Sequence, residues 1–294
     1  TPAAQSPADA YGLAKLVNYK SVPKYYGTFK DMVMQKVSNF TWVPRKNAED
    51  IVFKTLQPAI RYTKEECLDL PDVTYQVRDV PLTPQQDLYY KKLKKEMFIE
   101  AAGEEITVVN AAAMLTKLLQ VSAGSIYTDT KEVIQFDVKN RMTALKDIIT
   151  EASHKVIVFA PFRNSIDLLI TELTKSKISC DCIHGGITMN KRSQIFKSFQ
   201  ESKDPQVLVI QPQSASHGVT LHAANVVVFW SPVVSVETYI QCCARMDRAG
   251  QRNPMTVVHL EGSPVETRVY KMLQGKINNH VKLVDLYKEE LGII

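Results

Sequence analysis

The second half of the chain contains short runs of β-branched and aromatic residues that are apolar at nearly every position. A strand that buries one face alternates apolar and polar residues, whereas a near-continuous apolar run is typical of a strand buried on both faces. Such strands occur in parallel sheets that helices cover on either side. The runs are Lys155–Ala160, Gln206–Ile210, Val226–Trp230 and Thr256–Leu260, with a shorter candidate at Ser179–His184.

Segments with a helical pattern separate these strands, at about residues 164–177, 190–200 and 237–249. Ser235 is a suitable N-cap for the last of them and Gly250 a suitable C-terminal stop. Strand, helix and strand in repetition predict a parallel sheet with helices on both faces, so the predicted fold class is α/β. Functional residues of such sheets gather in loops at the carboxyl ends of the strands.

The first half of the chain is predicted to be mostly helical. Two segments have a helical pattern and are joined around Gly103, namely Pro84–Ala101 and Thr107–Val121. They predict a helical hairpin over residues 84–122. Residues 1–73 contain amphipathic helical patterns interrupted by prolines.

Composition limits the class of protein. With 45% hydrophobic and 23% charged residues the chain is ordinary for a globular protein, and its net charge of +5 is compatible with a polyanionic partner without establishing one. The five cysteines form no C-x-x-C pair, which argues against a disulfide framework and a zinc site. The sequence shows no signal peptide and no membrane-spanning segment, and its start at Thr1-Pro2 is interpreted as a cut within a longer protein.

Residues 241–251, which we call the glutamine–arginine segment, have the sequence QCCARMDRAGQ. On a helix, Gln241, Arg245 and Arg248 would share one face, because they are spaced i, i+4 and i+7. Two guanidinium groups on one face match the oxygens of a triphosphate and stabilise the charge of phosphoryl transfer. By itself, a pattern this short more often belongs to a solvated helix face or a structural ion pair.

The pattern Q-x-x-x-R-x-x-R-x-G-Q after a buried strand resembles motif VI of the superfamily-two helicases, specifically the Swi/Snf-related DNA translocases. Other blocks of this family are matched in the same order over most of the chain. VIVFAPF at 156–162 resembles motif IV, His184-Gly185-Gly186 the next block, and SASHGVTL at 214–221 motif V. Further similar segments are Thr1-Pro2, which resembles the end of motif III, and residues 61–71, 80–90 and 114–124.

This resemblance implies a RecA-like fold and a division of the chain into three parts. Residues 1–73 would be the C-terminal remnant of the first motor lobe. Residues 74–275 would be the second RecA-like lobe, the helicase C-terminal domain, and residues 276–294 a C-terminal helical tail.

The resemblance also implies roles for individual residues. Arg245 and Arg248 are expected to be catalytic arginine fingers, and Gln241 and Gly218 to contact ATP. Glycine suits a loop where the backbone approaches a phosphate closely. The candidate nucleic-acid contacts are His184, Gly185, Gly186, Arg163, Ser214, Ser216 and His217.

Two departures from the family pattern affect these expectations. Ser216-His217 stands where the family usually has two small residues before the last glycine of motif V. Trp230-Ser231-Pro232 stands where a W-N-P tripeptide often follows that motif, and Trp230 is therefore predicted to be a core residue.

The sequence lacks the segments that hold ATP and its metal in this superfamily. It contains no G-x-x-x-x-G-K-[ST] and no Asp-Glu dipeptide. We therefore expect ATP and Mg²⁺ to be bound by a longer protein, and this chain alone to bind neither tightly and to hydrolyse almost no ATP. No metal-ligating residue is predicted in the chain.

These expectations describe the C-terminal half of an ATP-dependent double-stranded DNA translocase, with duplex DNA and the first motor lobe as partners. A strand-separating DNA or RNA helicase and a non-catalytic nucleic-acid-binding module are the alternatives. A small-molecule Rossmann enzyme is disfavoured because no G-x-G-x-x-G follows a strand. An intracellular location is expected, with the cytoplasm of a bacterial or phage-infected cell favoured because the second lobe has no long insertion.

Overall fold

The computed structural model describes residues 6–38, 42–59, 64–101, 108–127, 132–216 and 220–275. The chain forms two compact units, Thr1–Asp69 and Leu70–Ile294. The helical tail predicted over residues 276–294 lies outside the described residues.

The first unit is mostly helical, as predicted. Its core contains Phe29, Val33, Ala10 and Ala14. Two short strands, β1 and β2, pair antiparallel. The elements are a 3-10 helix (Pro7–Asp9), α1 (Ala10–Val17), α2 (Tyr26–Val33), β1 (Met34–Lys36), β2 (Trp42–Pro44), α3 (Ala48–Thr55) and α4 (Lys64–Cys67).

The second unit is built on a six-stranded sheet flanked by helices. Its first elements are β3 (Val73–Asp79), α5 (Pro84–Ala101), α6 (Val108–Ala123), β4 (Ser125–Tyr127), β5 (Val133–Gln135), α7 (Lys139–Glu151), β6 (Lys155–Phe159) and α8 (Arg163–Lys175). There follow β7 (Cys180–Ile183), α9 (Met189–Glu201), β8 (Val207–Ile210), a 3-10 helix (Pro212–Ser216), β9 (Ala224–Phe229), α10 (Val236–Cys243), β10 (Met255–Glu261) and α11 (Pro264–Gln274).

The strand order in the large sheet is β3-β10-β9-β6-β8-β7, and all neighbouring strands are parallel. The predicted parallel sheet flanked by helices is therefore confirmed. Strands β4 and β5 form a separate antiparallel pair.

The central strands are buried on both faces, which explains their continuous apolar sequences. In β6, Ile157 and Phe159 join the core under α5, α6, α9, α10 and α11. Val156 and Val158 point to the other face and join the core under α7 and α8. Each face of the strand therefore needs apolar side chains.

The predicted helical hairpin is confirmed, since α5 and α6 pack against each other. Helix α6 ends at Ala123 and is followed by Gly124, whose φ of +106° is a left-handed conformation that favours glycine. A Cβ atom at this position would collide with Val138. Glycine is therefore required where the chain turns from α6 into β4.

The sequence does not predict β3. This strand lies at the edge of the sheet and pairs with β10 along its whole length, from Val73–Met255 to Asp79–Glu261. Most of its residues are exposed. An edge strand of this kind lacks the continuous apolar sequence by which the central strands were identified.

A buried polar network connects elements that are far apart in sequence. Nη2 of Arg141 on α7 lies 2.7 Å from Oε2 of Glu266 on α11, and Nη1 donates to the carbonyl of Trp230 after β9. The indole Nε1 of Trp230 donates to the carbonyl of Ala123 at 2.9 Å. Trp230 is fully buried, which confirms its prediction as a core residue.

Candidate functional site

Three candidate nucleic-acid contacts lie at the carboxyl ends of neighbouring strands. Because β6, β8 and β7 are adjacent and parallel, the segments that follow them meet at one side of the sheet, which we call the carboxyl edge. Arg163 begins α8 after β6, His184 follows β7, and Ser214 lies in the 3-10 helix after β8. The topology thus brings these three residues to one edge.

Hydrogen bonds fix the turn that follows β7. The ring Nδ1 of His184 accepts from the backbone amide of Gly186 at 3.0 Å, and the amide of Gly185 donates to Oε1 of Gln211 at 3.3 Å. Nη2 of Arg192 donates to the carbonyl of His184 at 3.3 Å. The guanidinium of Arg192 is therefore used in holding the turn.

The carboxyl edge is positively charged around His184. Burial lowers the pKa of the His184 imidazole, and the positive charges of Arg163, Arg192 and Lys191 lower it further, against the opposing effect of Asp167. Nη2 of Arg163 lies 3.0 Å from Oδ1 of Asp167, and both side chains are partly exposed. A phosphate at this edge would compete with Asp167 for Arg163.

The segment after β8 is a 3-10 helix, and its described part places Ser214 in the interior. The amide of Ser214 donates to the carbonyl of Gln211 at 2.8 Å, and the residue is buried. The side chain of Ser216, and all of His217 and Gly218, lie outside the described residues. The roles assigned to these four residues stay predictions.

The helix of the glutamine–arginine segment is shorter than predicted. Ser235 caps α10 as expected, accepting from the amide of Thr238 at 3.3 Å, but α10 ends at Cys243 and turns follow. The carbonyl of Arg245 accepts from the amide of Leu221 at 2.9 Å. Because this bond to another segment occupies the carbonyl that helix continuation would use, Gln241 and the two arginines do not share one face of a regular helix.

Arg245 is buried without a complete set of partners. The residue is 5% exposed, and its Nε and Nη1 atoms have no hydrogen-bond partner in the part of the chain that the structure describes. Burial lowers the pKa of the Arg245 guanidinium, and the positive charge of Arg248 lowers it further. The catalytic role of Arg245 and Arg248 stays a prediction.

The two arginines do not lie at the carboxyl edge, contrary to the general expectation for this fold. Arg245 is bonded to Leu221, shortly before β9 begins, and Nε2 of Gln251 donates to the carbonyl of Ala224, the first residue of β9, at 2.9 Å. The glutamine–arginine segment thus ends near the amino ends of β9 and β10. Gln211 follows the carboxyl end of β8, whereas Leu221 lies at this amino edge.

Gln241 and Arg248 make hydrogen bonds within the segment itself. Nε2 of Gln241 donates to Oε1 of Glu237 at 3.0 Å, and Nε of Arg248 donates to the carbonyl of Ala244 at 2.9 Å. Arg248 is half-buried. Contact of Gln241 with ATP stays a prediction.

The sequence did not point to the residues that hold α10 on the sheet. The hydroxyl of Tyr239 on α10 lies 3.0 Å from Nε2 of His259 on β10, and the His259 ring stacks on Tyr270 with centroids 4.2 Å apart. His259 is fully buried, and burial lowers its pKa to about 4. A neutral imidazole therefore anchors the helix that leads to the two arginines.

The middle of the second unit is similar to one domain family. Residues 140–250 match the model described as the helicase conserved C-terminal domain. The match runs from α7 to the end of the glutamine–arginine segment and includes the central strands and both arginines.

Solved structures share the RecA-like fold. The C-terminal part of the Fun30 ATPase domain superposes with a TM-score of 0.60 at 15% identity, covering 75% of this chain and 98% of that chain. The Sulfolobus solfataricus SWI2/SNF2 ATPase core, solved in complex with dsDNA, superposes with a TM-score of 0.56 at 19% identity. That match covers 95% of this chain and 59% of the archaeal chain.

Relatives in sequence extend the match to nearly the whole chain. The SWI/SNF-related matrix-associated actin-dependent regulator of chromatin subfamily A-like protein 1 of Drosophila melanogaster is 25% identical over 289 residues, 94% of this chain. The chain therefore carries a helicase conserved C-terminal domain and is similar to Swi/Snf-related proteins of superfamily two. The fold of its second unit is that of the C-terminal part of the Fun30 ATPase domain.

The chain spans less than half the length of such relatives. It covers 35% of the Drosophila protein. It covers 41% of putative protein p41 of Acyrthosiphon pisum secondary endosymbiont phage 1, to which it is 25% identical over 199 residues.

Candidate metal clusters and membrane-spanning helices are both absent from the described ranges. Among those residues, no group of three or more His, Cys, Asp or Glu side chains could hold a metal ion. Every helix in the same ranges is too short or too polar to span a bilayer.

Proposed function

We propose that this chain is the C-terminal half of an ATP-dependent double-stranded DNA translocase. In this proposal it supplies Arg245 and Arg248 to the phosphates of ATP and its carboxyl edge to the DNA backbone. The observation that carries the proposal is the buried guanidinium of Arg245, which lacks partners for two of its nitrogen atoms among the described residues.

A buried cation without hydrogen-bond partners is costly, because it loses its hydration without compensation. Phosphate oxygens would supply both the charge and the acceptors that Arg245 lacks, since a guanidinium presents a planar set of donors suited to them. Arg248 is near enough for its charge to affect Arg245, so one polyphosphate could contact both. These features fit arginine fingers that stabilise charge on a transferring phosphoryl group.

The remainder of the ATP site is assigned to another part of a longer protein. The sequence has no phosphate-binding G-x-x-x-x-G-K-[ST] loop and no Asp-Glu dipeptide for a magnesium ion. The relatives extend well beyond the matched region. ATP, when bound with Mg²⁺, supplies the phosphoryl group, and this chain alone is expected to hydrolyse almost none.

The carboxyl edge is proposed to follow the backbone of duplex DNA. Arg163 and Lys191 provide positive charge beside the His184 turn, and the Gly185-Gly186 backbone is unobstructed by side chains of its own. The archaeal structure with the same fold was solved with dsDNA. Backbone contacts of this kind give binding that weakens steeply with salt and has little sequence preference.

Gln211 and Leu221 offer a connection between the two proposed sites. Gln211 accepts from the amide of Gly185 at the carboxyl edge, and the amide of Leu221 donates to the carbonyl of Arg245. A movement of Arg245 on closure around ATP would therefore act on the chain that leads back to the DNA contacts. Coupling of this kind is what a translocase requires.

The proposal is tested by ATP hydrolysis in the full-length protein, with duplex DNA, single-stranded DNA or RNA added. We expect strong stimulation by duplex DNA. Arg245→Ala and Arg248→Ala should each lower kcat by roughly 10³-fold or more, because arginine fingers contribute effects of this size. Duplex affinity in the absence of ATP should change little.

Arg252→Ala is the matched control, because Arg252 is an exposed arginine just beyond the same segment. It should keep most of the turnover. Comparable turnover in the Arg245 and Arg252 variants would reject the arginine-finger assignment. Stimulation by RNA or single strands alone, with unwinding of a forked duplex, would favour the helicase alternative, and no hydrolysis at all would favour the binding module.

A further inference from the structure

The first unit carries a basic and aromatic stretch that the proposed function does not use. From Ala10 to Lys30 the sequence contains four lysines and no acidic residue. In the same stretch lie four tyrosines, of which Tyr19 and Tyr25 are 69% and 66% exposed. The rings of Tyr19 and Tyr25 are not part of the core of this unit, which is formed around the fully buried Phe29.

Three of the lysines lie next to tyrosine rings. The distances from Nζ to the ring centroid are 5.3 Å for Lys15 and Tyr11, 5.8 Å for Lys20 and Tyr19, and 5.4 Å for Lys24 and Tyr25. These distances are within the range of cation–π attraction. Positive charge and exposed aromatic surface therefore alternate along one stretch of chain.

Tyr11 connects the two ends of this stretch through its ring and its hydroxyl. Its hydroxyl donates to the carbonyl of Lys24 at 2.7 Å, and its ring meets that of Tyr26 edge-on at a centroid distance of 5.7 Å. Nζ of Lys15 donates to the Tyr11 hydroxyl at 3.3 Å. Helix α1 and the loop before α2 are thereby joined, so the lysines and tyrosines are positioned together before any ligand binds.

Among the residues that the structure describes, no carboxylate neutralises the charge of these lysines. In the ranges covered by the structure, Lys15, Lys20 and Lys24 make no ion pair, whereas Lys91 and Lys175 of the second unit each lie within 3 Å of a carboxylate oxygen. All three are exposed. A polyanion could therefore bind them without displacing an acidic partner.

We infer that Lys15, Tyr19, Lys20, Lys24 and Tyr25, which we call the lysine–tyrosine surface, bind single-stranded nucleic acid. The lysines contact phosphates, and bases stack on the exposed rings of Tyr19 and Tyr25. Single-strand binding sites combine positive charge with aromatic rings in this way. A duplex is a poorer fit, because its bases are stacked on one another and offer no free face to tyrosine.

The test is fluorescence anisotropy of a labelled single-stranded DNA oligonucleotide with the 294-residue chain, at several salt concentrations and without ATP. Tyr19→Ala with Tyr25→Ala should lower affinity roughly tenfold or more. Tyr19→Phe with Tyr25→Phe should restore it, because stacking uses the ring and not the hydroxyl. An oligonucleotide of abasic sites should bind about as weakly to the native chain as the intact strand does to the alanine variant.

The lysines are tested through the salt dependence. Lys15→Gln, Lys20→Gln and Lys24→Gln together should reduce the slope of log K against log salt by about 2, since each single-strand phosphate contact contributes about 0.7. The matched control is Lys36→Gln, Lys46→Gln and Lys54→Gln, which removes the same charge from exposed positions of the same unit. Its slope should stay close to that of the native chain.

Two results would overturn the inference. They are an equal loss of slope in the two lysine triples and unchanged single-strand affinity in the tyrosine-to-alanine variant. Circular dichroism of every variant identifies any that fails to fold. Because the assay involves no hydrolysis and no residue of the second unit is changed, its failure would leave the ATPase proposal as it stands.

Discussion

Arg141 and Arg245 are buried to nearly the same extent, at 3% and 5% exposure, but their guanidinium groups have different surroundings. Arg141 is paired with Glu266, donates to the carbonyl of Trp230 and lies over the Trp230 ring. Arg245 has two nitrogen atoms without partners among the described residues, and its charged neighbour is another arginine.

The difference separates a structural arginine from a binding one. A chain that buries a cation for stability surrounds it with acceptors, as around Arg141. A chain that buries a cation for a ligand leaves acceptors to be supplied by that ligand. His259 shows a third arrangement, because burial lowers its pKa to about 4 and leaves it neutral.

The largest effect on stability is expected from removing Arg141. Arg141→Met would leave the carboxylate of Glu266 fully buried without its cation, and breaking a buried pair in this way costs about 3–5 kcal/mol. Urea unfolding of the 294-residue chain measures the loss. Arg141→Met with Glu266→Leu should recover most of it, because neither charge then remains.

Arg78→Met is the control for that experiment. Arg78 lies 2.6 Å from Glu151 in an exposed pair, and its loss should cost less than about 1 kcal/mol. A loss from Arg141→Met as small as the one from Arg78→Met would contradict a stabilising role for the buried network.

The next largest effect is the loss of stability at low pH that His259 causes. Its pKa is about 4 in the folded chain and near 6.5 when unfolded, so the unfolded state binds a proton more readily. Stability should therefore fall as the pH is lowered from about 6.5 towards 4, by about 3 kcal/mol from this group. Urea midpoints at a series of pH values measure this contribution.

His259→Phe should remove that part of the pH dependence while keeping a ring against Tyr270. His154→Phe, at an exposed position, serves as the control and should leave the profile as it is. An unchanged profile in the His259 variant would show that burial does not keep this ring neutral.

The smallest change in stability is expected from replacing Arg245. It should be a gain, whereas replacing Arg141 should cause a loss. Arg245→Met removes a buried charge that lacks partners for two of its nitrogen atoms among the described residues. We therefore expect the chain without nucleotide to gain about 1–2 kcal/mol. Urea unfolding under the conditions used for Arg141→Met gives a direct comparison. A loss of several kcal/mol would mean that Arg245 has partners in the folded chain and would remove the basis of the contrast.

The sequence predicted the central sheet because burial on both faces leaves a strong pattern. Strand β6 is apolar at consecutive positions, and its residues divide between two cores. Strand β3 was missed because its residues are mostly exposed. The end of α10 was misplaced because the hydrogen bond between Leu221 and Arg245 depends on a distant segment. Local sequence contains no sign of such a bond.

The candidate site was predicted in part. The spacing of Arg245 and Arg248 pointed to phosphate chemistry, but neither the burial of Arg245 nor its missing partners could be read from the segment. The lysine–tyrosine surface could have been suspected from the sequence, because the stretch from Ala10 to Lys30 contains no acidic residue. The modest net charge of the whole chain concealed this local excess of positive charge. Its significance depends on Tyr11 bringing together residues of α1 and the following loop.

The order of strands has a consequence during protein synthesis. Strand β3 is the first strand of the large sheet to leave the ribosome, yet its hydrogen-bonding neighbour β10 is the last. At roughly 5–20 residues per second, the edge groups of Val73–Asp79 remain unpaired for about ten seconds or longer while the intervening chain is made. A nascent chain of this protein therefore exposes a strand that could pair with a neighbouring chain, until translation reaches Glu261.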